Sequence, residues 1–234
     1  MKKIMTLALM FVLTSCAELQ QIASQFPVQS VTEGDIATGL QQALQKGIDQ
    51  QVTLLTKENG FFGNQLVKIS LPEELQYVDK ALRNIGLDDL ADQGILLLNR
   101  AAEDAVKEAT PIFVAAVKDI TFTDARNILM GDNLAATSYL ENKTSDQLSE
   151  KFKPVIKNSL DKVGANDIWK NIITKYNSIP LTKKVDPDLT SYVNNKALDG
   201  VFTMIGEEEK EIRSSVSERT TLVLQKVFAL QDGV

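Results

Sequence analysis

A chain of 234 residues, 44% of them hydrophobic, is long enough to bury a sizeable core in one large domain or two small ones. It holds no histidine and a single cysteine, which excludes a Ser-His-Asp or Cys-His centre, a His-ligated zinc or copper site, a structural zinc cluster and an internal disulfide. The formal net charge is −6, or −8 once Lys2 and Lys3 are discounted, and with the basic residues read as interleaved with acids throughout, this balance disfavours a nucleic-acid partner and equally electrostatic adhesion to an anionic bilayer. What remains is carboxylate, lysine, tyrosine and hydroxyl chemistry, or hard cations on oxygen ligands, and nothing implies a cofactor. Low aromatic content (6%), 12 Gly, 6 Pro and no internal repeat suit long helices.

In chain order the first element is a leader. Lys2 and Lys3 precede an apolar run from Ile4 to Leu13, about half the roughly twenty residues that a bilayer span needs. Its end, Leu13-Thr14-Ser15-Cys16, resembles the lipobox of bacterial lipoproteins, an aliphatic residue and two small ones before a cysteine. That resemblance implies a thiol carrying a diacylglycerol, cleavage before Cys16 and acylation of the new amine. Two or three acyl chains hold durably where one would not, at about 0.8 kcal/mol per buried CH₂. Ala17 follows, instead of the Asp that retains many such lipoproteins in the inner membrane, so an outer-membrane site facing the periplasm is expected. The expected organisation is a signal peptide over 1–15, a lipidated flexible tether over 16–31 and a single helical domain over 32–234.

The body opens with Thr32 and Asp35 as helix-start signals before Ile36, Leu40, Ala43, Leu44, Ile48 and Leu55 at helical spacing. After GFFGN at 60–64, Val67 to Leu71 alternates like a strand, and Pro72 opens a helix carrying Leu75, Val78, Leu82 and Ile85 that stops at Gly86. The stretch from Leu87 to Ile120 is the most apolar of the body. It predicts a central helix, kinked or restarted at Thr110-Pro111. Thr123-Asp124 predicts a short helix ended by Gly131, and Asp132 a cap for the next. Thr144 with Gln147 predicts a capping box for a further helix reaching Val163 and closed by Gly164. Asn166 opens a helix through Tyr176, and Asp186-Pro187 starts another whose apolar face changes side at Gly200; a last helix holds Val216, Val223, Val227 and Leu230. The expected class is all-α, a multi-helix bundle of about eight to ten helices with at most one small β-hairpin.

Motifs with chemical meaning are few. Ser159-Leu160-Asp161-Lys162 matches S-x-x-K, but Lys143-Thr144-Ser145 precedes it on a helix start and no S-D-N is present, so the match is chance. The run Glu207-Glu208-Glu209 splays around a helix and reads as a solvated face, with Glu209 and Arg213 as an ordinary i,i+4 pair and no metal site. Asn99 and Glu103 stand one turn apart at the edge of the most apolar stripe. Polar groups entering a core must find partners, and Arg126, Asp199 and Arg213 are the candidates from other elements. Three readings stay open for them: a network that positions helices, a ligand-recognition site, or a catalytic carboxylate.

NRAAEDA at 99–105, Thr110-Pro111-Ile112-Phe113, Thr123-Asp124-Ala125, Gly131-Asp132, Ala136-Thr137-Ser138-Tyr139, and Ala197-Leu198-Asp199-Gly200-Val201-Phe202 with Glu209, Ile212-Arg213 and Arg219 occur in that order. Together they resemble the bacterial lipoproteins grouped as domain-of-unknown-function family 4197, over nearly the whole body. The resemblance implies a signal peptide and a helical fold, and transfers no mechanism. It marks Asn99, Glu103, Asp124, Asp132, Thr137, Tyr139, Asp199, Glu209, Arg213 and Arg219 as candidates without roles.

The functional expectation is therefore a lipid-anchored, periplasm-facing binding or structural module, held to the membrane through Cys16, with an envelope protein or a small amphiphile as partner. An amphiphile-binding protein requires a continuous apolar tunnel of roughly 300 Å³ or more. A carboxylate-dependent hydrolase requires two of Glu103, Asp124, Asp132, Asp199 and Glu209 across one cleft at about 5 to 9.5 Å.

Overall fold

The computed structural model describes residues 31–71, 76, 80, 83–86, 88–181 and 184–231. The leader with Cys16, most of the tether, and Leu75, Val78 and Leu82 of the helix expected after Pro72 lie outside the described residues. Eight α-helices are described: α1 Glu33–Leu55, α2 Asp88–Val106, α3 Ala109–Lys118, α4 Phe122–Leu129, α5 Ala135–Asp161, α6 Ala165–Asn177, α7 Leu189–Ser214 and α8 Leu222–Phe228, with a 3-10 turn at Val216–Glu218. The fold is all-α. None of these helices is long and apolar enough to cross a membrane.

The helices pack around α5 and α7, the longest two, which lie against each other. Helix α2 packs on both, and α1 packs on α7 while also contacting α3, α4 and α8. Because α7 is covered by α1, α2, α5 and α6, it needs apolar surface on more than one side. This accounts for the change of face at Gly200: Leu189 and Val193 are buried before it, Val201, Phe202, Ile205 and Ile212 after it. Gly200 itself is a close approach. A Cβ there would stand 2.6 Å from Phe61 Cε1 and 3.3 Å from Val67 Cβ. Gly200→Ala should therefore cost about 1–2 kcal/mol by overpacking, read by thermal melting, and Phe61→Leu in the same chain should recover part of that loss.

Several helix limits differ from the sequence reading. Val67 to Leu71 forms no strand; the described residues contain none, and the Asn99 side chain takes the place of the missing partner strand. One limit agrees: the apolar stretch from 87 restarts, at Ala109, so Pro111 sits in a first turn, where its missing N–H costs nothing. Thr121, not Thr123, caps α4: its hydroxyl accepts from the Asp124 N–H at 3.1 Å while Asp124 Oδ2 accepts from the Thr121 N–H at 3.1 Å. Thr144 caps nothing. It is buried inside the continuous α5, its hydroxyl donating to the Leu140 carbonyl at 2.6 Å, so two expected helices are one. Gly164, at φ +68°, makes the turn from α5 to α6. The cap of α7 is Asp188, which accepts from the Ser191 N–H at 3.0 Å, and not Asp186. Val216 is 61% exposed in the 3-10 turn and is no part of α8.

Candidate functional site

The polar residues singled out in the sequence separate into two buried clusters and a set of exposed caps. The first cluster stands on α2. Asn99 is fully buried; its Oδ1 accepts from the Ile69 N–H at 2.8 Å and its Nδ2 donates to the Ile69 carbonyl at 2.9 Å and to the Ile95 carbonyl at 2.7 Å. The primary amide thus pairs both backbone groups of Ile69, as an adjacent strand would, which is why the alternating segment needs no hairpin partner. One turn along, Glu103 Oε1 accepts from the N–H groups of Phe61 (3.1 Å) and Phe62 (3.4 Å), and Oε2 accepts from Arg100 at 2.5 Å. Arg100 also donates to Glu58 and Asn59, each at 3.0 Å. Asn99 and Glu103 together clamp the 56–71 segment onto α2, and that segment carries Phe61 to Gly200 on α7. The partners expected for them are not the ones found. Arg126 is exposed on α4, Asp199 is exposed on α7 with Lys196 at 3.5 Å, and Arg213 belongs to the second cluster.

That second cluster overturns the reading of 207–209 as a solvated face, since Glu208 and Glu209 are 7% and 8% exposed. Glu209 Oε1 accepts from the Ala136 N–H (2.9 Å) and from Arg213 Nε (2.9 Å) and Nη2 (2.7 Å). Its Oε2 accepts from the Thr137 N–H and hydroxyl, both at 2.8 Å. Arg213 in turn donates to the carbonyls of Ile128 (2.9 Å) and Leu129 (3.1 Å). One ion pair on α7 therefore places a carboxylate on the unsatisfied N–H groups that open α5 and a guanidinium on the carbonyls that close α4, each charge matched to its helix end. Arg219, 2% exposed, does the same for α7 itself through the carbonyls of Ile212 (3.1 Å) and Arg213 (2.8 Å).

The remaining candidates are local caps. Asp132 Oδ1 accepts from the Leu134 N–H at 2.8 Å in the turn before α5. Hydrogen bonds from the Thr121 hydroxyl and N–H hold the Asp124 carboxyl below the ordinary carboxylate range, and bonds from Ser191 and from Asn166 do so at Asp188 and Asp161. These shifts keep the acids ionised, opposite to what a general acid needs. Burial, with the charges of Asp124 and Asp119, pushes the Tyr139 phenol up, so that it stays a neutral donor.

Cavities among the described residues lie against these elements. One between α1, α5, α7 and α8 is lined by Leu44, Ile205, Ile212 and Phe228 with Glu208 and Glu209; it offers about 20 Å³, space for one water. A groove of about 380 Å³ between α5 and α7 has Leu134, Thr137, Phe202 and Gly206 with Glu141, Asp199, Glu207 and Lys210 on its walls. Another, of about 330 Å³, lies over α3 and α5 and holds Asp124, Tyr139 and Lys143. Each takes one of Glu209, Asp199 and Asp124, so none gathers two of the five acids a hydrolase would need.

Glu208 is the buried acid the sequence reading missed. Its Oε2 accepts from Gln51 Nε2 at 2.8 Å, and neither its Oε1 nor Gln51 Oε1 has a partner among the described residues. Its spacing was the available signal: Val201, Ile205, Glu208 and Ile212 fall at i, i+4, i+7 and i+11, so the acid occupies a place in the apolar stripe.

An all-helical body tied by buried carboxylate and guanidinium caps defines a class by architecture rather than by reaction. The chain belongs to the family described as "Protein of unknown function (DUF4197)", whose model matches residues 30–229. Comparisons with curated proteins and with solved structures give no match.

Proposed function

We propose that this chain is a lipid-anchored lipoprotein of a bacterial envelope, facing the periplasm, that works as a non-enzymatic binding or structural module. The observation that carries the reading is the lipobox-like Leu13-Thr14-Ser15-Cys16 behind a charged and apolar leader. A non-catalytic role is supported by the use of the acids: Glu103 and Glu209 are consumed in backbone capping and ion pairs, and Asp124 and Asp132 in exposed turns. Cys16→Ser should abolish metabolic labelling by fatty acid and release the protein from the acyl-anchored membrane fraction; labelling that persists refutes the anchor.

A second reading, amphiphile binding, draws on the groove between α5 and α7, where Phe202 and Leu134 give an apolar wall under a charged rim. The interior cavity, at about 20 Å³, is too small for an acyl chain. Under this reading a ligand lies in the open groove. Native mass spectrometry of the lipidated protein distinguishes the two, by a co-purifying small molecule or by a protein partner.

A further inference from the structure

Contrary to the sequence reading, the basic residues are not interleaved with acids throughout; the net charge of −6 conceals a segregation. Between Lys151 and Lys184 stand eight lysines and two aspartates, while the rest of the chain carries 17 basic against 29 acidic residues. This basic segment comprises the C-terminal half of α5, the whole of α6 and the start of the connection to α7. Lys157 is paired with Asp161. Lys151, Lys153, Lys162, Lys170 and Lys175 are exposed and form no ion pair among the described residues.

The same region carries protruding apolar side chains. Val163 is 47% exposed, Ile168 60% and Ile179 50%, and Leu181 is fully exposed at a positive φ of 68°. Helix α6 buries Trp169 and Ile173 against the body, with the Trp169 ring stacked on Tyr192 at 6.2 Å. Ile168 and Lys175, two turns apart, share the opposite face with the exposed Asp167, and Lys170 stands on its flank. The Lys184 ammonium donates to the carbonyls of Asn177 and Ile179, which holds a positive charge beside Ile179 and Leu181.

We propose that the outer face of α6 and its C-terminal turn, from Lys162 to Leu181, are a docking surface for an anionic phospholipid bilayer. The average charge predicted against such adhesion, but a bilayer meets one face of a protein, and the potential that matters is the one within a Debye length of that face. Protruding aliphatic side chains insert at the headgroup boundary while lysines reach the phosphates with their stems along the apolar surface. The exposed composition favours a membrane over a protein partner. Protein interfaces are enriched in arginine and aromatic residues and depleted in lysine, whereas this patch has lysine as its sole basic residue and Trp169 turned inward. The proposal stands apart from acylation, since it needs nothing of Cys16.

The test uses the full chain with Cys16→Ser, which leaves one introduced thiol for a polarity-sensitive fluorophore at Leu181→Cys or, outside the patch on α1, at Gln50→Cys. On vesicles of equimolar phosphatidylcholine and phosphatidylglycerol the probe at 181 should shift to the blue, and on phosphatidylcholine alone it should not. Lys162→Glu/Lys175→Glu should weaken that response more than tenfold, as expected from about fivefold per lysine at an anionic surface, and added salt should act in the same direction. The probe at 50 should stay in water throughout. A probe at 181 that remains in water while the chain sediments with mixed vesicles overturns the proposal, because contact is then made elsewhere. So does an equal shift on both vesicle types or in the charge-reversed chain. Because acylation is absent from every sample, these outcomes leave the lipoprotein reading untouched.

Discussion

Glu209→Ala should lower the melting temperature by about 6–20 °C. The carboxylate accepts five hydrogen bonds, two from Arg213 and three from Ala136 and Thr137. Both members of the pair are nearly excluded from water, with side chains 5% and 7% exposed. Removing one partner leaves a buried guanidinium whose remaining bonds go to neutral carbonyls, and breaking such a pair costs about 3–5 kcal/mol. In a domain of this size each kcal/mol moves the midpoint by about 2–4 °C. The opening turn of α5 also loses the acceptor of its first N–H groups. Glu209→Ala/Arg213→Met should be less damaging than the sum of the single changes, since the second substitution removes the orphaned charge. A melting point within a degree of the parent for Glu209→Ala would show that the cap is solvated and not a structural centre.

For Glu103→Ala we expect a loss of about 2–4 kcal/mol, concentrated in the 56–71 segment. The change leaves the Phe61 N–H buried without an acceptor and frees Arg100 from its closest partner; an orphaned buried donor alone costs about 1–3 kcal/mol. Asn99 still pairs Ile69, so the C-terminal end of the segment should hold while its start loosens. Amide hydrogen exchange at Phe61 and Phe62 should accelerate far more than at Ile69. Glu103→Gln should recover most of the stability, because its carbonyl oxygen still accepts from Phe61. If Glu103→Ala instead melts like the parent but loses a partner captured by the native chain, Glu103 is a recognition residue and not a clamp.

The same two clusters show how far the sequence could be read. That Asn99 and Glu103 enter a core was legible from their place on the edge of the α2 stripe, since a helix of fixed period dictates which positions share a face. Their partners were not legible. They are backbone groups of Ile69, Phe61 and Phe62, and every residue type carries the same N–H and C=O, so no side chain advertises the contact. Glu209 and Arg213 were legible as an i,i+4 pair. Their burial was not, because it depends on the end of α4 and the beginning of α5 meeting at α7, 72 to 85 residues away in the chain. Thr121 and Thr123 offer the same hydroxyl, as do Asp186 and Asp188 the same carboxylate. Which one caps is decided by where packing starts the helix, and helix ends are the part of a helix that periodicity defines least.

By itself the sequence determined the all-α class, the order of most helices and the family pattern, because these follow from composition, helical period and motifs along the chain. Only the tertiary structure decided that Glu208 and Glu209 of α7 face inward, that an asparagine stands in for a strand, and that Ile168 and Leu181 stand exposed within the lysine-rich 151–184 segment. Each of these depends on which elements meet. A buried charge or a surface patch is a relation between distant segments, and the local pattern of any one segment does not contain it.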